Sequence, residues 1–203
     1  MYVELSCQSY YSFLKSGSGP DELVQQAIDV GLPALAVTDD HGVYGLPKAY
    51  RQQKDHPQFK LIAGSRLHIQ NFGVLTLLAR SRQGYGQMCK TLTAAFQGKQ
   101  KGESFLTQDE FEKVVKGFGC PEWHVLVTAE QDIHWLVALF PERLHLMTSR
   151  FLDGKDSDRE QQALYFAKKY SLPIVASNQV LYHHKDRRPL HDVLTCVSEG
   201  VHL

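Results

Sequence analysis

A chain of 203 residues, 43% apolar and 22% charged, is long enough to bury a full core, and a single domain spanning 1–203 is the default at this size. Its 22 basic and 22 acidic residues cancel, so no whole-protein positive field draws in nucleic acid and any such contact needs a local patch. Cys7, Cys89, Cys120 and Cys196 are far apart with no C-x-x-C pair, which fits reduced thiols and a cytoplasmic location better than a disulfide framework or a zinc ribbon. The first residues run straight into a strand with neither a basic leader nor a long apolar run, so neither secretion nor a membrane span is expected.

Short β-type runs then alternate with helical patterns. Val3 to Cys7 reads as a strand; Gly19 offers an N-cap, Pro20 a first helical position, and Asp21 and Glu22 carboxylates for the first turn. The helix they open carries Leu23, Val24 and Ala27 on one face and ends near Gly31. Ala34 to Thr38 is a second strand and Pro47 to Gln53 a short helix. Phe59 to Ala63 is a third strand closed by Gly64 and Ser65, Val74 to Ala79 a fourth, and Tyr85 to Phe96 a helix by its apolar spacing. The polar run QGKQKGES from Gln97 to Ser104 is a surface loop, with Lys99 and Lys101 on a solvated face. Thr107 and Glu110 form a T-x-x-E capping box for a helix to Val115. His124 to Thr128, Leu144 to Met147 and Pro173 to Ser177 read as strands, Ile133 to Leu139 and Asp158 to Lys169 as helices, and Leu190 to Val197 opens another.

This rhythm predicts an α/β fold of parallel βαβ units, and a barrel of such units keeps its functional surface at the strand C-terminal ends. Ser6 and Gln8, Thr38 to His41, Ser65 and Arg66, and Asn178 and Gln179 all stand at such ends. The run VTDDHGVYGLPKAY, from Val37 to Tyr50, concentrates carboxylates and a histidine in one turn and is the natural place to look for a metal.

Four segments carry a family resemblance: VELSCQSYYSFLKSGSGPDELVQQAIDVGLPALAVTDDHGVYGLPKAY, FKLIAGSRLHI, LTLLARSRQGYGQMCKTLTAAF, and LPIVASNQVLYHHKDRRPLHDVLTCVSEGVHL. In this order and spacing the chain resembles the N-terminal PHP (polymerase and histidinol phosphatase) domain of bacterial C-family DNA polymerase α subunits, most closely the error-prone, damage-associated branch. The resemblance implies a distorted TIM-like (β/α)7 barrel of parallel strands with outer helices. It also places Leu203 inside a longer polypeptide, with the remainder of the polymerase chain as first partner, other replication or repair proteins as further ones, and DNA met through the full-length protein.

In active members of that family, histidines, aspartates and a glutamate at the strand ends bind a cluster of metals for phosphoester hydrolysis. Where they have H-x-H, this chain has Ser6-Cys7-Gln8; where they have T-D-H, it has Thr38-Asp39-Asp40, with His41 one place late. The glutamate after the third strand is Arg66, the histidine of the L-x-L-L-A strand is Val74, and the closing N-D-x-H is Asn178-Gln179-Val180-Leu181. Only Asp39 keeps a ligand-type residue in register, with Asp40 a substitute. A zinc site typically takes about three protein ligands and a two-metal site more, so no metal cofactor is expected. A permanent guanidinium at Arg66 would repel a divalent cation, and it is expected either to pair with Asp39 and Asp40 or to be a plain polar residue at the barrel mouth.

His183 and His184 lie past the last strand and read as a surface loop; Lys185, Arg187 and Arg188, with Tyr182, form the one concentrated basic patch, which a phosphate or an acidic partner could meet. Trp123 and Trp135 read as core or contact aromatics, and Ser6, Ser9 and Ser12 lack a nucleophile motif. Three functions stand against one another: a non-catalytic structural and interaction module of an error-prone polymerase, in which Asp39→Ala should hardly change activity; a metal-dependent phosphoesterase or 3′–5′ exonuclease with unconventional ligands; and a nucleic-acid-binding accessory working through Lys185, Arg187 and Arg188.

Overall fold

Backbone pairing in the computed structural model, which describes residues 2–128 and 132–202, joins seven strands in chain order. Met1 and Leu203, and with the latter the expected boundary, lie outside the described residues. The chain packs as two units, Met1–Gly64 with Asn178–Leu203, and Ser65–Ser177.

In the first unit, β1 (Glu4–Cys7) pairs in parallel with β2 (Ala34–Asp40), and Cys7 also bridges in parallel to Val180. Helices α1 (Pro20–Asp29) and α2 (Leu46–Gln53) cover one face of these strands. Cys7, Leu35 and Val37 share that face because side chains alternate along a strand, and they pack with Leu23, Val24, Ala27, Leu46, Ala49 and Phe59. Each large apolar side chain so buried contributes roughly 1.5–3 kcal/mol. Gly19 caps α1 through its backbone alone, its N–H donating at 2.7 Å to the Glu22 carboxylate, so the expected start is right in every residue. A short 3-10 turn (Lys185–Arg187) leads into α7 (Arg188–Glu199), on which no residue is fully buried.

β3 (Lys60–Ile69) passes from one unit into the other, and it corrects the sequence reading. Gly64 and Ser65 do not end it: both are buried strand residues, and the chain continues with Leu67 and Ile69 buried and Arg66 and His68 half-buried. Glycine and serine weaken a strand but do not break it when its flanks are packed.

In the second unit, only the Gln70–Phe72 link separates β3 from β4 (Gly73–Ala79), its neighbour in the sheet. So short a link suits an antiparallel hairpin and cannot make a parallel crossover. β4 accordingly runs antiparallel to β5 (Trp123–Val127), a departure from the expected all-parallel order. β6 (Leu144–Thr148) and β7 (Ile174–Ala176) then restore parallel pairing. The helices here are α3 (Arg82–Phe96), α4 (Gln108–Gly117), α5 (His134–Leu139) and α6 (Asp156–Tyr170). The Thr107 capping box is present in full, each partner accepting the other's backbone N–H. Lys99 corrects a second expectation: it is not simply solvated but lies 4.1 Å from the Phe105 ring and 3.6 Å from Glu110. Trp123 is fully buried and Trp135 packs edge-on against Phe72 and Phe111, as core aromatics should. No helix among the described residues is long and apolar enough to cross a membrane.

Candidate functional site

The strand ends of the first unit gather Ser6, Gln8, Asp39, Asp40, His41, Asn178 and Gln179, but they do not all face one way. Cys7 and Val37 point to the helices, so Ser6 on β1 and Gln8 just past its end fall on the opposite face from them, and so does Asp40 on β2. Asp39 follows Val37 to the helix side. Its Oδ2 lies 2.6 Å from where a Cβ on Gly45 would stand, beside Pro20 at the start of α1. Gly45 precedes α2, so the carboxylate sits near two helix N-termini, whose exposed N–H groups favour negative charge.

Asp39 is held there by the loop that follows β1. Ser9 donates from its N–H to Oδ1 at 2.7 Å and from Oγ to Oδ2 at 2.8 Å, and Ser12 Oγ donates to Oδ1 at 2.9 Å while accepting from the Asp40 N–H at 3.0 Å. Burial pushes the Asp39 carboxyl above its ordinary 3.8, outweighing the serine donors, and the neighbouring Asp40 charge adds to the rise. Asp40 itself takes the Lys15 ammonium at 2.6 Å. His41 is nearly buried at a positive φ of 49° and turns the chain out of the strand.

The rest of the loop is tied to the segment after β7. Val180 N–H donates to Ser6 O and Gln8 N–H to Val180 O, both at 2.9 Å; Ser16 Oγ reaches the carbonyls of Gln8 and Leu181; Ser18 Oγ meets His183 Nδ1 at 2.8 Å. Asn178 contributes its backbone N–H to Glu4, at 2.9 Å, and its side chain is exposed. Glu4 is a buried carboxylate that the sequence reading missed; it also accepts from Tyr2 Oη at 2.6 Å and Ser6 N–H at 2.9 Å. Four buried serines, Ser9, Ser12, Ser16 and Ser18, were likewise missed as a group. Their signal was visible: a serine-rich stretch between a strand and a helix has backbone to satisfy.

These residues do not fit a metal cluster. Asp39 is turned to the helices with both oxygens accepting from serines, Asp40 carries an ammonium, and Ser6 and Gln8 supply only neutral donors. Among the described residues no three histidine, cysteine, aspartate or glutamate side chains come together as a metal would require. Cys7 offers no thiolate either, since burial, with Glu4 and Asp39 near, pushes its thiol well up.

Arg66 is half-buried inside β3, in the second unit's share of that strand, and not after its end. In the basic patch, Arg187 pairs with Glu22, Arg188 lies 3.9 Å from Asp192, and Lys185 is exposed. His183 is no free loop residue, being bonded to Ser18 and 3.9 Å from Glu22, whereas His184 is exposed. A groove of about 340 Å³ runs along α1 past Asp21, Glu22, Gln25, Asp29, Gln52 and His183, and its amides bond to one another and to Asp29.

The second unit holds one titratable pair that the sequence reading passed over. His124 Nδ1 and His145 Nε2 meet at 2.8 Å across the parallel strands β5 and β6. Burial lowers both below the ordinary 6.5, and His124 is lowered further by His145, Arg80 and Arg143.

The geometry can be set beside known proteins. Residues 4–131 match the family model described as the PHP domain. The chain belongs to the PHP domain family. An error-prone DNA polymerase of Hahella chejuensis is 34% identical over 203 residues, covering 97% of this chain, and a second from Methylococcus capsulatus is 34% identical over 201 residues. This PHP domain spans about 20% of the length of those relatives. Among solved structures, a Bifidobacterium adolescentis protein described as a metal-dependent phosphoesterase aligns with TM-score 0.61 at 13% identity, over 90% of this chain and 88% of that one. Endonuclease Q bound to a duplex with an abasic lesion aligns with TM-score 0.56 at 12% identity, over 90% of this chain and 49% of that one. At such identities the likeness shows the fold alone, which is the expected TIM-like PHP type with an antiparallel β4–β5 pair.

Proposed function

We propose that this chain is a non-catalytic PHP domain, a structural and interaction module at the front of a cytoplasmic error-prone DNA polymerase that works in damage tolerance and repair. The observation that carries the reading is the state of Asp39, the one aspartate left in the family's ligand register. It accepts three hydrogen bonds from Ser9 and Ser12, on the helix side of β2, and acts as a strut. The loop it holds follows directly on Ser6 and Gln8, the positions where active relatives carry the H-x-H ligands. Asp40 beside it follows the same logic, its charge neutralised by Lys15. DNA and further replication or repair proteins are then met by the longer protein, not by a phosphate clamp at Lys185, Arg187 and Arg188.

The test is elemental analysis of protein purified without chelator, combined with hydrolysis assays on 3′-ended DNA and on a simple phosphomonoester. Substoichiometric metal and no turnover is the expected result. Stoichiometric metal with turnover abolished by chelation would establish the phosphoesterase instead.

A further inference from the structure

The loop between β6 and α6 holds a leucine out in water in a strained conformation. Leu152 is 89% exposed and has φ of 57°, in the left-handed region that side chains avoid. A single exposed leucine is ordinary, but one kept where glycine would relieve the backbone is not.

The surroundings impose that conformation. Asp156 accepts the N–H groups of Phe151 and Leu152, each at 2.9 Å. Arg159 grips Asp153 with two nitrogens, reaches Asp156 at 3.0 Å and lies 5.0 Å over the Phe151 ring. Arg150 pairs with Glu160 at 3.0 Å, and one turn beyond Glu160 the exposed Leu164 extends the apolar surface. Strain persists only where neighbours over-determine it, and it collects at sites of binding.

The charges say what kind of partner fits. Residues 150–160 carry three basic and four acidic side chains, and the arginines are paired within the loop and α6. That leaves no unpaired cationic row for a phosphate backbone or an anionic membrane. An apolar tip inside a rim whose charges are already satisfied suits a protein pocket.

We infer that Phe151 and Leu152 form a preset apolar finger that inserts into an uncharged apolar pocket on the part of the longer polymerase beyond these 203 residues. This rests on the reading that the chain fronts such a polymerase. The finger anchors the PHP domain to that polypeptide, and its clamp means that little ordering is needed on docking.

The experiment compares the 203-residue chain with the full-length protein by hydrogen exchange over residues 149–156 and by thermal unfolding, each with Leu152→Gly and Leu152→Asn. Both variants keep a residue at ease with positive φ. The finger predicts exchange slowed about tenfold or more in the full-length protein alone, with both variants removing that protection and lowering its Tm without lowering the short chain's Tm. Equal exchange in the two proteins, or protection that rises with protein concentration as for a second copy, overturns it. Primer extension by the wild-type full-length protein separates the two ideas: an inactive enzyme refutes the polymerase reading, whereas an active one with an unprotected loop overturns only the finger.

Discussion

Two loops, each following a parallel strand and each set by aspartate, end in opposite states. After β1, the serines of residues 9–18 turn inward: Ser9, Ser12, Ser16 and Ser18 are buried, and Asp39 gathers Ser9 and Ser12 on the helix side, although Phe13 between them is exposed. After β6, residues 149–156 turn outward: Asp156 gathers two N–H groups and Arg159 closes the loop, so that Leu152 stands in water. Burial raises the Asp39 carboxyl, while the Arg159 guanidinium holds Asp153 well below the usual carboxylate range. The same residue type serves as a buried strut in one place and as an exposed clamp in the other, and its surroundings decide which.

The contrast can be broken first at the strut. Asp39→Ala leaves the buried Ser9 N–H and two hydroxyls without their acceptor and should cost about 3 kcal/mol in denaturant unfolding. The sequence expectation that the change hardly affects activity stands beside this, since the cost falls on stability. Gly45→Ala tests the same spot from the other side. Its Cβ would stand 2.6 Å from Asp39 Oδ2 and 3.1 Å from Ser9 Oγ, and the repacking should cost about 2 kcal/mol.

Proton titration sharpens the comparison, since the two loops should respond with opposite sign. Folding raises the Asp39 pKa, so the folded state binds that proton more tightly, and this contribution to stability falls as pH rises from 3.8 through the folded value. Folding lowers the Asp153 pKa, so its contribution is present above 3.8 and is lost as pH falls through the folded value. Carboxyl chemical shifts followed by NMR would read each separately, and parallel shifts would break the contrast. The histidine pair follows the Asp153 sign: its contribution is whole above 6.5 and falls away as pH drops through the folded values, and His124→Gln should flatten that slope. The smallest effect belongs to Leu152→Gly, which in the 203-residue chain should raise stability by no more than about 1 kcal/mol, relief of the left-handed backbone being partly offset by glycine's freedom in the unfolded chain.

The fold was largely legible in the sequence, because strand and helix periods differ and the caps are local chemistry. Gly19-Pro20 and Thr107 with Glu110 marked their helix starts correctly. The end of β3 was misplaced because Gly64 and Ser65 look like punctuation, and only the packing of Leu67 and Ile69 shows that the strand continues. The reversal of β4 follows from a three-residue link, which was visible but went unread. At the site, the residues that cluster at the first unit's strand ends could be named from sequence, but their facing could not. Whether Asp39 points toward a pocket or toward the helices depends on strand alternation counted from Cys7 and Val37, and its partners Ser9 and Ser12 are 30 and 27 positions away in sequence.

The central claim is that Asp39 supports the fold and performs no chemistry. Its most direct test is the primer-extension rate per folded molecule of the full-length polymerase carrying Asp39→Ala, measured below the melting point of the variant. A lowered Tm with an unchanged rate is the predicted result. An unchanged Tm with a lost rate, or with loss of a hydrolytic activity on 3′-ended DNA, would contradict it.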